Sequence, residues 1–294
     1  MIATTGFFDG VHLGHRLVIE RLVSFARERG DESLVVTFWP HPRAVLQDGA
    51  RELRLLNSLE EKKELLRGLG VDRVEVLDFT RTFAALTAEQ YLREVLRNRF
   101  GVTTLLMGYD NRLGSDRLTA TTLKSIATSI GIELIELEPF GQGELHPDLT
   151  PVSSTKIRKA LEEGDIAAAT GMLGYGYSLM GVVVAGNRLG RTIGFPTANM
   201  RLYEPLKLVP GRGVYVVEAE VLGKKYRGMT NIGLRPTVGG SFTTIETHIL
   251  DFDEDIYGLP LRITFLRRLR DEVRFPSLEA LTLQLEKDRD CCRE

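Results

Sequence analysis

Cysteine is almost missing from this chain: Cys291 and Cys292, adjacent near the C-terminus, are the only two in 294 residues. Two neighbouring thiols cannot build a disulfide framework or a metal cage, so stapled secreted scaffolds and zinc ribbons are excluded and a reducing cytosol is expected. Long apolar runs are missing too, since none approaches the ~20 residues a spanning helix needs. The opening Met1-Ile2-Ala3-Thr4-Thr5 carries neither a basic nor a hydrophobic leader region, so a cytoplasmic protein without a membrane partner is expected. Nor is there an excess of one charge. With 38 Lys and Arg against 40 Asp and Glu, the formal net charge is −2. Nothing in that balance calls for nucleic acid, and any anionic ligand must be held by local groups. No G-x-G-x-x-G or Walker A string occurs, which argues against a nicotinamide dehydrogenase or a P-loop enzyme.

What is present is an ordinary globular composition, 43% hydrophobic and 27% charged, at a length that suits two domains. From Ile2 to about Leu137, short apolar strands (Ile2–Thr5, Ser33–Phe38, Arg73–Leu77, Thr103–Met107, Glu133–Leu137) alternate with helical patterns at His15–Arg29, Leu59–Gly68, Ala88–Arg99 and Thr121–Ile130. That rhythm predicts a parallel sheet covered on both faces, with ligands at the carboxyl ends of its strands. A short helix over Asp165–Leu173 is read next, and Gly171, Gly174 and Gly176 break the pattern, where the boundary is placed, giving domains 1–174 and 175–294. Beyond it the strand-like runs Tyr177–Ala185, Gly213–Leu222, Lys225–Ile232, Thr243–Asp251 and Leu261–Arg270, with one late helix at Leu278–Asp288, predict a small antiparallel barrel. The fold class is therefore α/β: a Rossmann-like parallel-sheet domain followed by a β-barrel.

The first chemistry-bearing stretch is Gly6-Phe7-Phe8-Asp9-Gly10-Val11-His12-Leu13-Gly14-His15, between the first strand and the first long helix. Gly6, Gly10 and Gly14 let backbone approach a ligand, and His12 and His15 enter one turn apart where the free N–H groups of the helix face the same spot. A triphosphate fits that chemistry. A metal site fits less well, because no further Cys/His pair stands nearby and Asp9 alone leaves a metal under-coordinated. After the second strand, His41 lies between Pro40 and Pro42, which is either a placed imidazole or a proline-punctuated loop. Thr150-Pro151-Val152-Ser153-Ser154-Thr155-Lys156-Ile157-Arg158 opens a helix with Ser153 or Ser154 as cap. Its amino end is again suited to an anion, although an ordinary capped helix with solvated Lys156 and Arg158 has the same pattern.

In the second half, Gly186-Asn187-Arg188-Leu189-Gly190-Arg191-Thr192-Ile193-Gly194-Phe195-Pro196-Thr197-Ala198-Asn199 combines glycines at 186, 190 and 194 with two arginines, which suits polyphosphate. Thr197 and Asn199 present a hydroxyl and an amide oxygen on one face of an extended segment. That is adequate for a Mg²⁺ ion arriving with phosphates, and equally an ordinary turn. In Ile245-Glu246-Thr247-His248-Ile249 the alternation puts Glu246 and His248 together, opposite the three other side chains; such a carboxylate is usually solvated. Asp251–Asp255 is read as a solvated turn, lacking the spacing of a calcium loop.

Gly-Phe-Phe-Asp-Gly-Val-His-Leu-Gly-His resembles the signature of the nucleotidyltransferases with an HxGH motif, and the chain is similar nearly end to end to the bacterial bifunctional riboflavin kinase/FAD synthetases. The strings Phe38-Trp39-Pro40-His41-Pro42, Ser153-Ser154-Thr155-Lys156-Ile157-Arg158, Gly194-Phe195-Pro196-Thr197-Ala198-Asn199 and Asn231–Thr237 carry the likeness further. The resemblance implies phosphorylation of riboflavin to FMN and adenylyl transfer to FMN, each with ATP as co-substrate and Mg²⁺. It implies His12, His15 and Arg158 as the catalytic groups of the adenylyl step. The nucleotide contacts expected there are Gly6, Phe7, Asp9, Gly10, Gly14, Ser154 and Thr155. In the kinase it implies Glu246 as base, Gly190, Arg191, Gly194 and Thr197 at the nucleotide, and Thr197 and Asn199 at the metal. Flavin contacts are expected at His41, Asn111 and Phe275. Asn111 and Leu113 stand where the family commonly has aromatic residues, and a plain packing helix also explains the pattern at Phe275 and Leu278.

Overall fold

The computed structural model describes residues 1–46, 53–108, 113–116, 118–137, 152–186, 189–237 and 240–293. They form two compact units, Met1–Ser154 and Thr155–Glu294.

In the first unit the elements run β1 (Ile2–Thr5), α1 (Leu13–Arg29), β2 (Ser33–Trp39), α2 (Pro42–Leu46), α3 (Leu59–Gly68), β3 (Arg73–Asp78), α4 (Arg81–Ala84) and α5 (Ala88–Gln90). A π-helical stretch over Tyr91–Arg99, β4 (Thr104–Gly108), α6 (Ala120–Ile130) and β5 (Glu133–Leu137) complete it. The strands form one parallel sheet in the order β3-β2-β1-β4-β5. Both faces are buried because the strands are apolar at successive positions. Ile2, Val35 and Leu106 join the core on one side, and Ala3, Leu34, Val36, Leu105 and Met107 join it on the other. The strand order reverses at β1, so the loop after β1 leaves the sheet at the switch point where such sheets hold ligands. The expected helix at Ala88–Arg99 exists as two pieces. Thr87 and Gln90 close a capping box on α5, and the chain then widens into π turns. The short helices α2 and α4 have too few residues to show a period in the sequence.

In the second unit α7 (Ser154–Glu163), whose first residue closes the first unit, and α8 (Ile166–Leu173) precede β6 (Ser178–Val184), α9 (Leu189–Thr192) and β7 (Ala198–Leu202). β8 (Gly213–Val221), β9 (Lys224–Thr237), β10 (Gly240–Ile249), β11 (Pro260–Arg270) and α10 (Leu278–Arg293) follow. Six strands close into a barrel in the order β10-β7-β6-β11-β8-β9. Sequence periodicity names five of them; β7 is added by the structure, between β6 and β10. Helices α7 and α8 belong with this barrel: Gly211 N–H donates to the Leu161 carbonyl at 2.8 Å, and an added Cβ at Gly211 would lie 2.3 Å from the Glu162 carbonyl oxygen.

Helix α10 lies over β8 and β9, where Cys292 joins Phe195, Val214, Val216, Met229 and Leu250. A largely buried ion pair fastens it, and a second, exposed one joins Arg293 to Asp251 at 3.0 Å. Arg270 of β11 donates Nε and Nη2 to Asp288 at 3.0 and 2.7 Å, and Gln284 Nε2 donates to the same carboxylate at 2.9 Å. Asp288 is 5% exposed and Arg270 20% exposed, so removing one partner strands a largely desolvated charge. Asp288→Ala is expected to cost about 2–3 kcal/mol, read as a lower Tm, with the far-ultraviolet signature of the barrel retained.

Candidate active sites

The loop from Gly6 to His12 is strained. Phe8 and Val11 have φ of 50° and 35°, and Gly10 has 86°. Left-handed backbone at a β-branched residue costs energy, and such residues persist where the surroundings hold them for a purpose. Val11 N–H donates to the Phe8 carbonyl at 3.1 Å, closing the turn that delivers the chain to α1. His12 is the N-cap of that helix: its Nδ1 accepts the His15 N–H at 3.4 Å. The expected spacing of one turn brings the two imidazoles into a stack, with centroids 3.7 Å apart and planes 14° from parallel. Burial first, then the neighbouring His12 and Lys62, hold His15 well below the ordinary imidazole range. Its buried Nδ1 has no hydrogen-bond partner among the described residues.

Asp9 is buried, and its carboxylate accepts the backbone N–H groups of Leu56 and Asn57 at 3.0 and 3.4 Å. It fastens the loop that leads into α3. Ser154, the first residue of α7, donates its hydroxyl to the Asp9 carbonyl at 2.9 Å. Phe7 meets the His41 ring edge to face at 4.0 Å, and His41 Nδ1 accepts the Arg43 N–H at 3.0 Å. The structure therefore brings His12, His15, Phe7, Asp9, Ser154 and His41 to one end of β1 and β2. An added Cβ at Gly6 would meet the Phe8 ring at 3.0 Å and one at Gly14 the His12 ring at 3.4 Å. Thr155 is exposed and Arg158 half-buried on α7, within the second unit. Asn111 lies outside the described residues, and Leu113 is 8% exposed in the core that covers the sheet.

One group at this end escaped the sequence reading. Lys62, on α3, is fully buried with its Nζ 3.7 Å from the centre of the Phe7 ring. Its neighbour Lys63 is paired with Glu60 at 2.9 Å on the outer face. In Leu59-Glu60-Glu61-Lys62-Lys63-Glu64 nothing local separates the two lysines.

In the barrel, β10 alternates as expected: Ile245, Thr247 and Ile249 are buried, and Glu246 and His248 face the other way. Glu246 pairs across the sheet with Asn199 on β7 and with Asn231 on β9, so it stands in the middle of a polar row. Thr197 Oγ1 donates to Glu246 Oε2 at 3.4 Å. Gly186 approaches Asn199 so closely that a Cβ would lie 2.3 Å from its amide nitrogen. His248 Nδ1–H donates to the Pro196 carbonyl at 2.8 Å, and its ring meets Phe195 at 5.2 Å. Burial shifts this imidazole below its ordinary range, against the opposing hydrogen bond to Pro196.

A cavity of about 440 Å³ is lined by Thr197, the residue that reaches Glu246, by Thr247 and Ile249 on the other face of β10, and among others by Arg191, Phe252 and Tyr257. The expected turn at Asp251–Asp255 thus has a second character: its four acidic residues are exposed, Phe252 is half-buried, and Phe252, Asp253, Glu254 and Asp255 also wall the cavity. Gly190 lets the loop fold back, since its carbonyl accepts the Phe195 N–H at 2.8 Å and a Cβ there would clash with the Phe195 carbonyl. Gly194 turns the chain at φ 82°. Asn187 and Arg188 lie outside the described residues. Phe275 lies between β11 and α10 with the Arg270 guanidinium 5.6 Å over its ring. No cluster of three His, Cys, Asp or Glu suited to a metal occurs among the described residues.

Comparison with known proteins agrees with both halves. Residues 1–156 match the FAD synthetase family model and residues 173–294 the riboflavin kinase model. The Escherichia coli K12 bifunctional riboflavin kinase/FMN adenylyltransferase is 37% identical over 295 residues, covering 100% of this chain and 92% of that protein. The chain belongs to this bifunctional family. As a riboflavin kinase/FMN adenylyltransferase it is a transferase with two activities, and the order of its domains is that of the sequence reading. The Bacillus subtilis member is 35% identical, with 98% of this chain and 90% of that protein covered. A Streptococcus pneumoniae crystal structure described as a macrolide-efflux protein is 33% identical and superposes with a TM-score of 0.90 over 100% of this chain and 93% of that one. Among the described residues of the flavin-synthesis chain no helix is long and apolar enough to cross a membrane.

Proposed function

We propose that the barrel makes FMN from riboflavin and that the parallel-sheet domain makes FAD from FMN, with ATP as the donor in both steps. For the kinase the supporting observation is the row Asn199–Glu246–Asn231 joined to Thr197, which also lines the cavity. Glu246 takes the proton of the ribityl hydroxyl as that oxygen attacks the γ-phosphorus, and ADP leaves. Arg191 and the Gly190–Gly194 turn hold the nucleotide in the cavity, and Phe275 contacts the isoalloxazine. The oxygens of Thr197 and Asn199 suit a hard cation that keeps its waters and arrives on phosphates, so Mg²⁺ is assigned there. When bound it supplies charge neutralisation on the phosphates.

In the adenylyl step an FMN phosphate oxygen attacks the α-phosphorus of ATP, and pyrophosphate carries away the leaving electron pair. No covalent enzyme intermediate is needed, so the protein supplies position and charge stabilisation. His12 and His15 sit where α1 begins, Gly6, Phe7, Gly10 and Gly14 shape the loop, and Asp9 fixes its floor. Ser154, tied to the Asp9 carbonyl, is assigned to the phosphates with that loop; the family resemblance assigns Thr155 and Arg158 to ATP as well, and His41 and Asn111 to the flavin. The partners are small molecules, with no nucleic acid or membrane among them. The protein acts in the cytoplasm, where Cys291 and Cys292 stay reduced. Incubation with riboflavin and ATP followed by chromatography should yield FMN and then FAD. FAD alone from supplied FMN would remove the kinase assignment.

The domains are assigned as 1–174 and 175–294. Because α7 and α8 rest on the barrel, a fragment from Thr155 to the C-terminus is expected to phosphorylate riboflavin and to make no FAD. The same fragment begun at Tyr175 should have a lower Tm, having lost the Leu161–Gly211 hydrogen bond and its surroundings. A folded Thr155 fragment that makes no FMN would require one composite site in place of two.

A further inference from the structure

The ammonium of Lys62 is buried in the first unit without a hydrogen-bond partner among the described residues, and the buried Nδ1 of His15 is in the same condition. Each orphan is costly by itself. The two groups are also close enough to act on one another electrostatically. The ring face of Phe7 at 3.7 Å and that of Trp39 at 5.9 Å offset part of the charge but accept no ordinary hydrogen bond. Asp9 supplies opposite charge, yet its Oδ1 already takes the Leu56 and Asn57 amides. Those bonds, with the Ser58–Glu61 capping box, fix the start of α3 and so aim its first turn at the strained loop. A lysine held this way has three donors unspent.

We infer that Lys62 is a phosphate-binding residue of the adenylyl site, donating with His15 to the polyphosphate oxygens of ATP and to the pyrophosphate that leaves. Phosphate oxygens are the acceptors that Phe7 and Trp39 cannot provide, and they bring the negative charge that a buried ammonium and a helix amino end both favour. The inference rests on the assignment of the His12–His15 loop to ATP, and the controls below keep the two apart.

Burial moves the Lys62 amine down to about 8, with Asp9 opposing, so near neutral pH it is mostly charged and above pH 8 it is not. The groups that act on it are His15 from α1, behind which His12 stacks, Asp9 from the loop, and the Phe7 and Trp39 rings; Glu61 precedes it on its own helix, and His41 meets Phe7 from beyond. Ordinary imidazoles and carboxyls change charge below this range. Loss of ATP affinity above about pH 8 would therefore report the lysine.

The experiment measures FAD formation from FMN in the full-length chain, for the native protein, Lys62→Met and His15→Ala. Lys62→Met should raise both the KM for ATP and the pyrophosphate inhibition constant by ~10-fold or more, the scale of one charge-assisted hydrogen bond, and should move the KM for FMN less than about 2-fold. It should also erase the alkaline rise in ATP KM expected of the native protein. A Tm equal to or above the native one, as removal of a buried amine should give, together with native far-ultraviolet and near-ultraviolet circular dichroism, reports that the first unit is folded, while unchanged riboflavin phosphorylation shows the barrel unaffected. Unchanged ATP KM in Lys62→Met, with His15→Ala inactive, would make the lysine a packing group and overturn the inference. A shift confined to the FMN KM would assign it to the acceptor phosphate and overturn it as well. If His15→Ala retains full FAD synthesis, the loop itself is misassigned and Lys62 falls with it.

Discussion

Glu246→Gln is expected to lower FMN formation by ~10²–10⁴-fold while FAD formation from supplied FMN stays at the native rate. The substitution keeps the shape of the side chain and its place between Asn199 and Asn231, and Thr197 Oγ1 can still donate to the amide oxygen. What it removes is the basic lone pair that receives the ribityl proton. The loss should therefore fall on kcat, with the KM for ATP moving little. Glutamate at this position is not needed by the barrel, because the strand buries Ile245, Thr247 and Ile249 and leaves 246 on the polar side. Kinase turnover at the native rate in Glu246→Gln would show a carboxylate that is only solvated.

The second large effect belongs to the adenylyl step. His15→Ala and Arg158→Ala should each lower FAD formation by at least ~10²-fold, the scale of losing one transition-state donor, while riboflavin phosphorylation persists. For His15 the effect should be catalytic and not a matter of stability. Its imidazole is held neutral in the fold, so the unfolded chain binds a proton more readily, and the residue's contribution is complete above the ordinary histidine value and shrinks as pH falls through it. Removing it relieves that acid sensitivity. A variant that is stable at low pH and inactive at pH 7 would separate the two consequences. Normal FAD synthesis in either variant would remove that residue from the site.

How much of this was legible in sequence depends on the range of the interactions involved. The loop after β1 is readable because glycines, imidazoles and a helix start fall within ten residues, and the spacing of His12 and His15 dictates their stack. The parallel sheet is readable because its strands are continuously apolar and separated by helix-length segments. The strand β7 is not, since Ala198–Leu202 alternates Asn199 and Arg201 with small or flexible residues and becomes a strand through its partners β6 and β10. The π turns at Tyr91–Arg99 share the apolar spacing of an α-helix and leave no separate mark. Lys62 is the sharpest case. Which of two adjacent lysines is buried depends on the angle at which α3 leaves the loop tied to Asp9, a contact made across 47 residues of sequence. The cavity wall at Phe252–Asp255 was likewise hidden, because exposure of a turn and enclosure of a ligand are compatible.

The closed ring of the barrel has a further bearing on Glu246. Side chains on a strand change face at every residue, so a slip of β10 by one position would turn Glu246 inward and carry Thr247 out. In an open sheet a free edge would tolerate such a slip. Here β10 is hydrogen-bonded on both sides, to β7 and to β9, and the strand order closes on itself. A shift would break both ladders and the buried Thr230–Thr247 hydroxyl pair at 2.8 Å together. Misregistered molecules should thus be unfolded ones, and a preparation of this kinase should contain active barrels or none, without a compact inactive fraction to dilute its measured turnover.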